Sequence, residues 1–242
     1  MTDVNFAMSP IDLANMLTNA VEMSKEAAKI EGPDSILIAY QPSSDGLLGS
    51  VLVYGCGRYA AGRTVAYLDG LPSPESMSLS ITRGHAEELS SALRKTSRAA
   101  GTRVSVGMTE SPVEEVNPET GAATWGNFSV GYNEKYLTHL HDSDPHGRFD
   151  QIWSRVDQLA SSTGEPIAGL ALHVGVLSRL SRVKGVGEIA DLRTTPLPGV
   201  VAAKLGEHFV ALLGEVNREN FVSGGRWQSG PGSANQLWPA TK

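Results

Sequence analysis

The sequence has a single cysteine, few aromatic residues and no apolar run of membrane-spanning length. One cysteine excludes a disulfide within the chain, and the lack of a long apolar run excludes a membrane helix. The first residues, MTDVNFAMSP, have neither the basic start nor the apolar centre of a signal peptide. We therefore expect a soluble protein that works in the cytoplasm.

The sequence also lacks an excess of positive charge. Its formal net charge is −6, which argues against a surface built mainly to neutralise nucleic-acid phosphates. A protein with this net charge can still have one local basic face that contacts DNA. A chain of 242 residues that is 40% apolar can bury the core of one large domain or two small ones.

Helical and strand patterns alternate along the chain. Ser9 and Pro10 begin a helix predicted to reach about Lys29, and a second helix is predicted from Gly84 to Ala100. Arg94, Lys95 and Arg98 in its last turns either complement the helix dipole or form a strip that faces DNA. The first half also contains predicted strands, at residues 35–40, 47–54, 64–68, 76–81, 103–108 and 124–132.

After a polar connector at 134–148 the pattern partly restarts. Helices are predicted at residues 149–164 and 174–184, and a strand at 167–172 lies between them. Three more strands follow, at 190–194, 200–204 and 208–216. From Ser223 the composition turns to Gly, Ser, Pro and Gln, which predicts a mobile tail. The chain therefore divides into a unit at 1–133, the connector, an abbreviated unit at 149–222 and a tail at 223–242.

The glycine-rich centre of the first half offers weak nucleotide-binding and nucleophile signals. Gly57–Thr64 has the spacing of a phosphate-binding P-loop, but Arg63 stands where the lysine belongs and a strand pattern follows instead of a helix. Cys56 lies between two glycines in an apolar strand, which is typical of small packing residues. We predict no catalytic residues and no cofactor.

A histidine cluster supports one enzymatic alternative. His139, His141, Asp142, Asp144 and His146 superficially resemble the metal loop of metallo-β-lactamases, and other candidate ligands follow at His173, Asp191 and His208. The spacing is wrong, however, because an extra residue is inserted on each side of Asp144. A zinc-dependent hydrolase remains an alternative, and the main prediction contains no metal site.

The first unit resembles DNA sliding clamps. The matching segments are SPIDLANMLTNAVEMSKEA, VLVYGCGRYAAGRTVAYL and ITRGHAEELSSALRKTSRAAGTRVSVGM, and VVAAKLGEHFVALLGEV is similar to the closing strands of a clamp domain. The resemblance implies an α+β fold in which amphipathic helices pack on antiparallel sheets, with the second unit abbreviated. A DNA polymerase processivity factor is the function that it implies.

The overall character of the chain also resembles the recombination directionality factors of phages that use large serine integrases. That resemblance implies a non-enzymatic phage protein in a bacterial host, which binds the integrase and promotes excision with little direct DNA binding. A few arginine and aromatic residues usually dominate such protein interfaces. The predicted partner-binding residues are Arg179, Arg182, Phe221, Trp227 and Trp238.

Overall fold

The fold is α+β, as predicted. The computed structural model describes residues 2–25, 35–43, 47–57, 60–68, 73–96, 101–112, 124–132, 135–142, 154, 156–158, 174–187, 189–197 and 200–214. Its helices are α1 (Pro10–Ser24), α2 (Arg83–Thr96) and α3 (Val174–Leu180). Its strands are β1 (Thr2–Met8), β2 (Ser35–Pro42), β3 (Gly49–Cys56), β4 (Ala60–Leu68), β5 (Met77–Thr82), β6 (Val104–Pro112), β7 (Thr124–Tyr132), β8 (Lys135–Asp142), β9 (Ala190–Thr194), β10 (Val200–Leu205) and β11 (Phe209–Gly214).

The strands form two antiparallel sheets. The four-stranded sheet has the order β1-β6-β7-β8, and the seven-stranded sheet has the order β5-β2-β3-β4-β11-β10-β9. The first 142 residues contain the run strand, helix, three strands twice over, as β1-α1-β2-β3-β4 and β5-α2-β6-β7-β8. The two runs exchange their first strands, since β1 pairs with β6 and β5 pairs with β2. Each run therefore completes the sheet of the other.

A third helix-and-meander run extends this duplicated core. Helix α3 precedes β9, β10 and β11, and β11 pairs antiparallel with β4, with Phe209 opposite Thr64 and Leu213 opposite Ala60. One sheet thus includes strands from both predicted units. The division at 1–133, 149–222 and 223–242 stays a prediction, but the predicted connector is wrong over Lys135–Asp142, which is strand β8 paired with β7.

The helix starts agree with their sequence signals, and α1 is shorter than predicted. Ser9 has extended backbone at the start of α1, and its carbonyl accepts the first helical bond from the Leu13 N–H at 3.1 Å. Helix α1 ends at Ser24 instead of continuing to about Lys29. Helix α2 spans Arg83–Thr96, and the rest of its predicted range, residues 97–100, lies outside the described residues. Among the described residues, no helix is long and apolar enough to cross a membrane.

The main core lies where both sheets meet α1 and α2. Its apolar side chains come from alternate positions of the strands, including Val4 on β1, Ile38 on β2 and Phe128 on β7. The ring of Phe6 on β1 stacks on that of Tyr40 on β2, with centroids 5.7 Å apart. This contact links the edge strand of one sheet to the other sheet.

Helix α1 approaches β3 so closely that glycine is required there. A Cβ atom on Gly55 would overlap the backbone carbonyl of Ala20, and neither backbone segment can rotate away as a side chain could. Gly62 on β4 likewise lies under α1, where an added Cβ would meet Met23 Cγ at 2.6 Å. Gly62, which belongs to the segment with P-loop spacing, therefore makes room for a helix, as Gly55 does.

We predict that Gly55→Ala lowers the free energy of unfolding by about 2–3 kcal/mol, because overpacking forces α1 away from β3. Gly84→Ala is the matched control, because nothing lies within 4 Å of its added Cβ. Alanine is also favoured over glycine inside a helix by about 1 kcal/mol, so this control should not destabilise. Urea unfolding measures both effects, and equal midpoints would contradict the close packing.

Candidate interaction surfaces

Polar side chains fasten α1 to α2. The hydroxyls of Thr18 and Ser90 are 2.8 Å apart, and the Ser90 hydroxyl also donates to the Ala14 carbonyl at 3.0 Å. Arg94 donates to Asn15 Oδ1 and to Thr18 Oγ1, both at 3.0 Å. Arg94 is therefore used to hold two helices together, which favours a structural role over a strip of α2 that faces DNA.

The exposed charges on the helix layer are of both signs. Lys95, Arg182 and Lys184 are exposed, and so are the carboxylates of Asp12, Glu87 and Glu88. The described part of this layer therefore presents exposed charges of both signs.

A buried asparagine joins α1 to the segment after α3. Asn19 is fully buried; its Oδ1 accepts from the Lys184 N–H at 2.7 Å and its Nδ2 donates to the Lys184 carbonyl at 3.0 Å. Both backbone polar groups of Lys184 are thus satisfied by one side chain, at a point where Gly185 takes the left-handed conformation with φ +68°. Asn19 fixes the third run against the first.

The two arginines predicted to bind a partner lie in different environments. Arg182 is exposed and its Nη1 lies 3.8 Å from Glu22 Oε2. Arg179 is only 7% exposed and donates to the Lys25 carbonyl at 3.3 Å, beyond the end of α1. Arg179 is thus largely buried, whereas Arg182 is exposed. Partner binding by Arg179 and Arg182 stays a prediction.

Phe221, Trp227 and Trp238 lie outside the described residues, and so does the strand predicted at 167–172. The helix predicted at 149–164 is seen only at Ser154 and residues 156–158, which are helical. The role of the three aromatic residues in partner binding therefore stays a prediction.

A polar cluster anchors that short helical piece across the sheet. The Tyr54 hydroxyl on β3 donates to Asp157 Oδ2 at 2.9 Å, and Arg63 Nη1 on β4 lies 2.6 Å from Asp157 Oδ1. The neighbouring Val156 is 2% exposed and packs in the apolar cluster that includes Leu52 and Leu212. This apolar cluster covers the face of the seven-stranded sheet opposite α1. Sequence reasoning missed the polar contacts of Asp157, because Asp157 is 94 residues from Arg63.

Burial sets the properties of two side chains in the glycine-rich centre, Cys56 and Tyr54. Cys56 is 1% exposed, and burial raises the pKa of its thiol, so it acts as a packing residue as predicted. Burial, with Asp157 as a second cause, also raises the pKa of Tyr54. The element that follows Gly57 is the strand β4. A P-loop is followed by a helix, so this segment does not have the geometry of a P-loop.

The zinc alternative gains no support. In the described ranges, no group of three or more His, Cys, Asp or Glu side chains is placed to hold a metal ion. His139 and His141 lie on β8, Asp191 lies on β9 and His208 follows β10. Asp144, His146 and His173 lie outside the described residues.

An open cleft of about 280 Å³ lies at the start of α1. It is lined by Met8, Ser9, Asp12, residues 66–68 at the end of β4 and residues 101–103 before β6. Arg103 in its wall donates to the Ala7 carbonyl at 2.9 Å. Its polar lining residues include Ser9, Asp12 and Thr102.

Comparison with solved structures shows which fold this is. The chain is similar to a putative DNA polymerase III beta subunit from Eubacterium rectale, with a TM-score of 0.53 and 9% identity, over 92% of this chain and 68% of that one. It is similar to the DNA polymerase sliding clamp from Pseudomonas aeruginosa, with a TM-score of 0.54 and 11% identity, over 88% of this chain and 67% of that one. It is also similar to the Helicobacter pylori beta clamp bound to a DNA ligase peptide, with a TM-score of 0.50 and 9% identity, over 98% and 69%.

The fold is therefore sliding-clamp-like, as the sequence resemblance predicted. The chain spans about two thirds of the length of these clamps. No protein-family model matches the chain, and no match was found among curated proteins. The resemblance to recombination directionality factors gains no support from these comparisons.

We predict that the stability of the protein falls as the pH rises above about 8.5, the ordinary pKa of cysteine, and more steeply above about 10, that of tyrosine. Tyr54 has a raised pKa in the folded protein, so the unfolded chain releases the phenolic proton first and is favoured at high pH. Tyr54→Phe should lower stability near pH 7 by about 1 kcal/mol, through the lost hydrogen bond to Asp157. It should also make the alkaline decline shallower.

Urea unfolding of both proteins between neutral and alkaline pH measures the two effects. Cys56 retains its own raised pKa in the variant, so some decline should persist. An alkaline decline of the same steepness in both proteins would contradict the buried environment of Tyr54.

Proposed function

We propose that the chain is a non-enzymatic clamp-like protein that serves as a binding platform in a DNA transaction, with a polymerase processivity factor as the particular role. The likeness to bacterial sliding clamps over 88–98% of the chain carries this proposal. The exchange of first strands between two helix-and-meander runs also produces a rigid duplicated core, which suits a platform better than a catalyst.

The charge distribution limits the ways in which such a protein could stay on DNA. The chain has a net charge of −6 and a helix layer of mixed charge. Phosphate neutralisation would therefore contribute little to its affinity for DNA. Retention would have to come from a closed assembly around the duplex or from a partner that is itself bound. Clamp neighbours include one in complex with a DNA ligase peptide, and we propose that this chain likewise engages protein segments.

A recombination directionality factor is the second candidate. Its supporting observation is the same acidity, because such a factor would act on a serine integrase and not on DNA. The two candidates differ in a measurable way, since only the clamp is topologically linked to its DNA. The factor would instead join purified integrase and change the direction of recombination without a duplex complex of its own.

We predict that the protein, mixed at low salt with a nicked circular duplex, forms a complex that persists when the salt is raised to about 0.5 M, where phosphate contacts are largely lost. Cutting the same DNA once should release the protein, because a topological link needs a closed circle. Sedimentation of the two DNA forms measures the difference.

A complex that dissolves at that salt on both DNA forms would contradict the processivity role. No complex on either DNA, together with co-migration with a serine integrase and a switch to excision, would favour the directionality factor. The solution mass should be recorded in parallel, because a closed ring requires several copies of a chain of this size.

A further inference from the structure

We draw no further inference here: the strongest candidate, the open cleft at the start of α1 with the exposed side chain of Tyr67 in its wall, carries no proposal because nothing in the structure shows what covers it.

Discussion

The close packing of α1 on β3 and β4 is the contact on which the rest of the structure depends. Gly55 leaves no room between β3 and the Ala20 carbonyl, so the helix lies directly on the sheet. From that position α1 presents Thr18 to α2 and Asn19 to the segment after α3. One helix thereby fixes both of the others, and the three helices form a layer on one side of the seven-stranded sheet.

The second constraint is the pairing of β4 with β11, which joins the third run to the duplicated core. On one face Asn19 also contacts Thr64 of β4, at 3.4 Å from its hydroxyl. On the opposite face Asp157 is held by Tyr54 and Arg63. Polar contacts between residues that are far apart in sequence thus support the junction on both sides. The proposed binding platform would benefit from such support, because ordering flexible segments on binding costs affinity.

Local signals predicted most of the elements from the sequence. Ser9 and Pro10 predict the start of α1, the strand predicted at 76–81 matches β5, and three strands of the second half are predicted near their observed limits. The clamp-like fold was also predicted, from helix and strand patterns without an invariant motif. Strand β8 was missed because its polar sequence lacks an apolar alternation, and its position follows from pairing with β7.

The candidate surfaces were predicted less well, because they depend on contacts between distant residues. Basic residues near a helix end look alike in sequence, whether they are exposed as Arg182 is or buried as Arg179 is. The cluster of Tyr54, Arg63 and Asp157 has no spacing that a motif could contain. The exchange of β1 and β5 is likewise a property of pairing, and periodicity within each strand is the same whichever sheet it joins.

Hydrogen exchange of the backbone amides tests most directly the claim that the third run is one structure with the clamp-like core. If β4 and β11 form one sheet, their amides should open together with the same free energy, close to that of global unfolding. The comparison is between residues 60–64 and residues 209–213, which pair in the seven-stranded sheet. Strong protection in β4 with rapid exchange throughout β11 would contradict the claim, since the third run would then fold and open by itself.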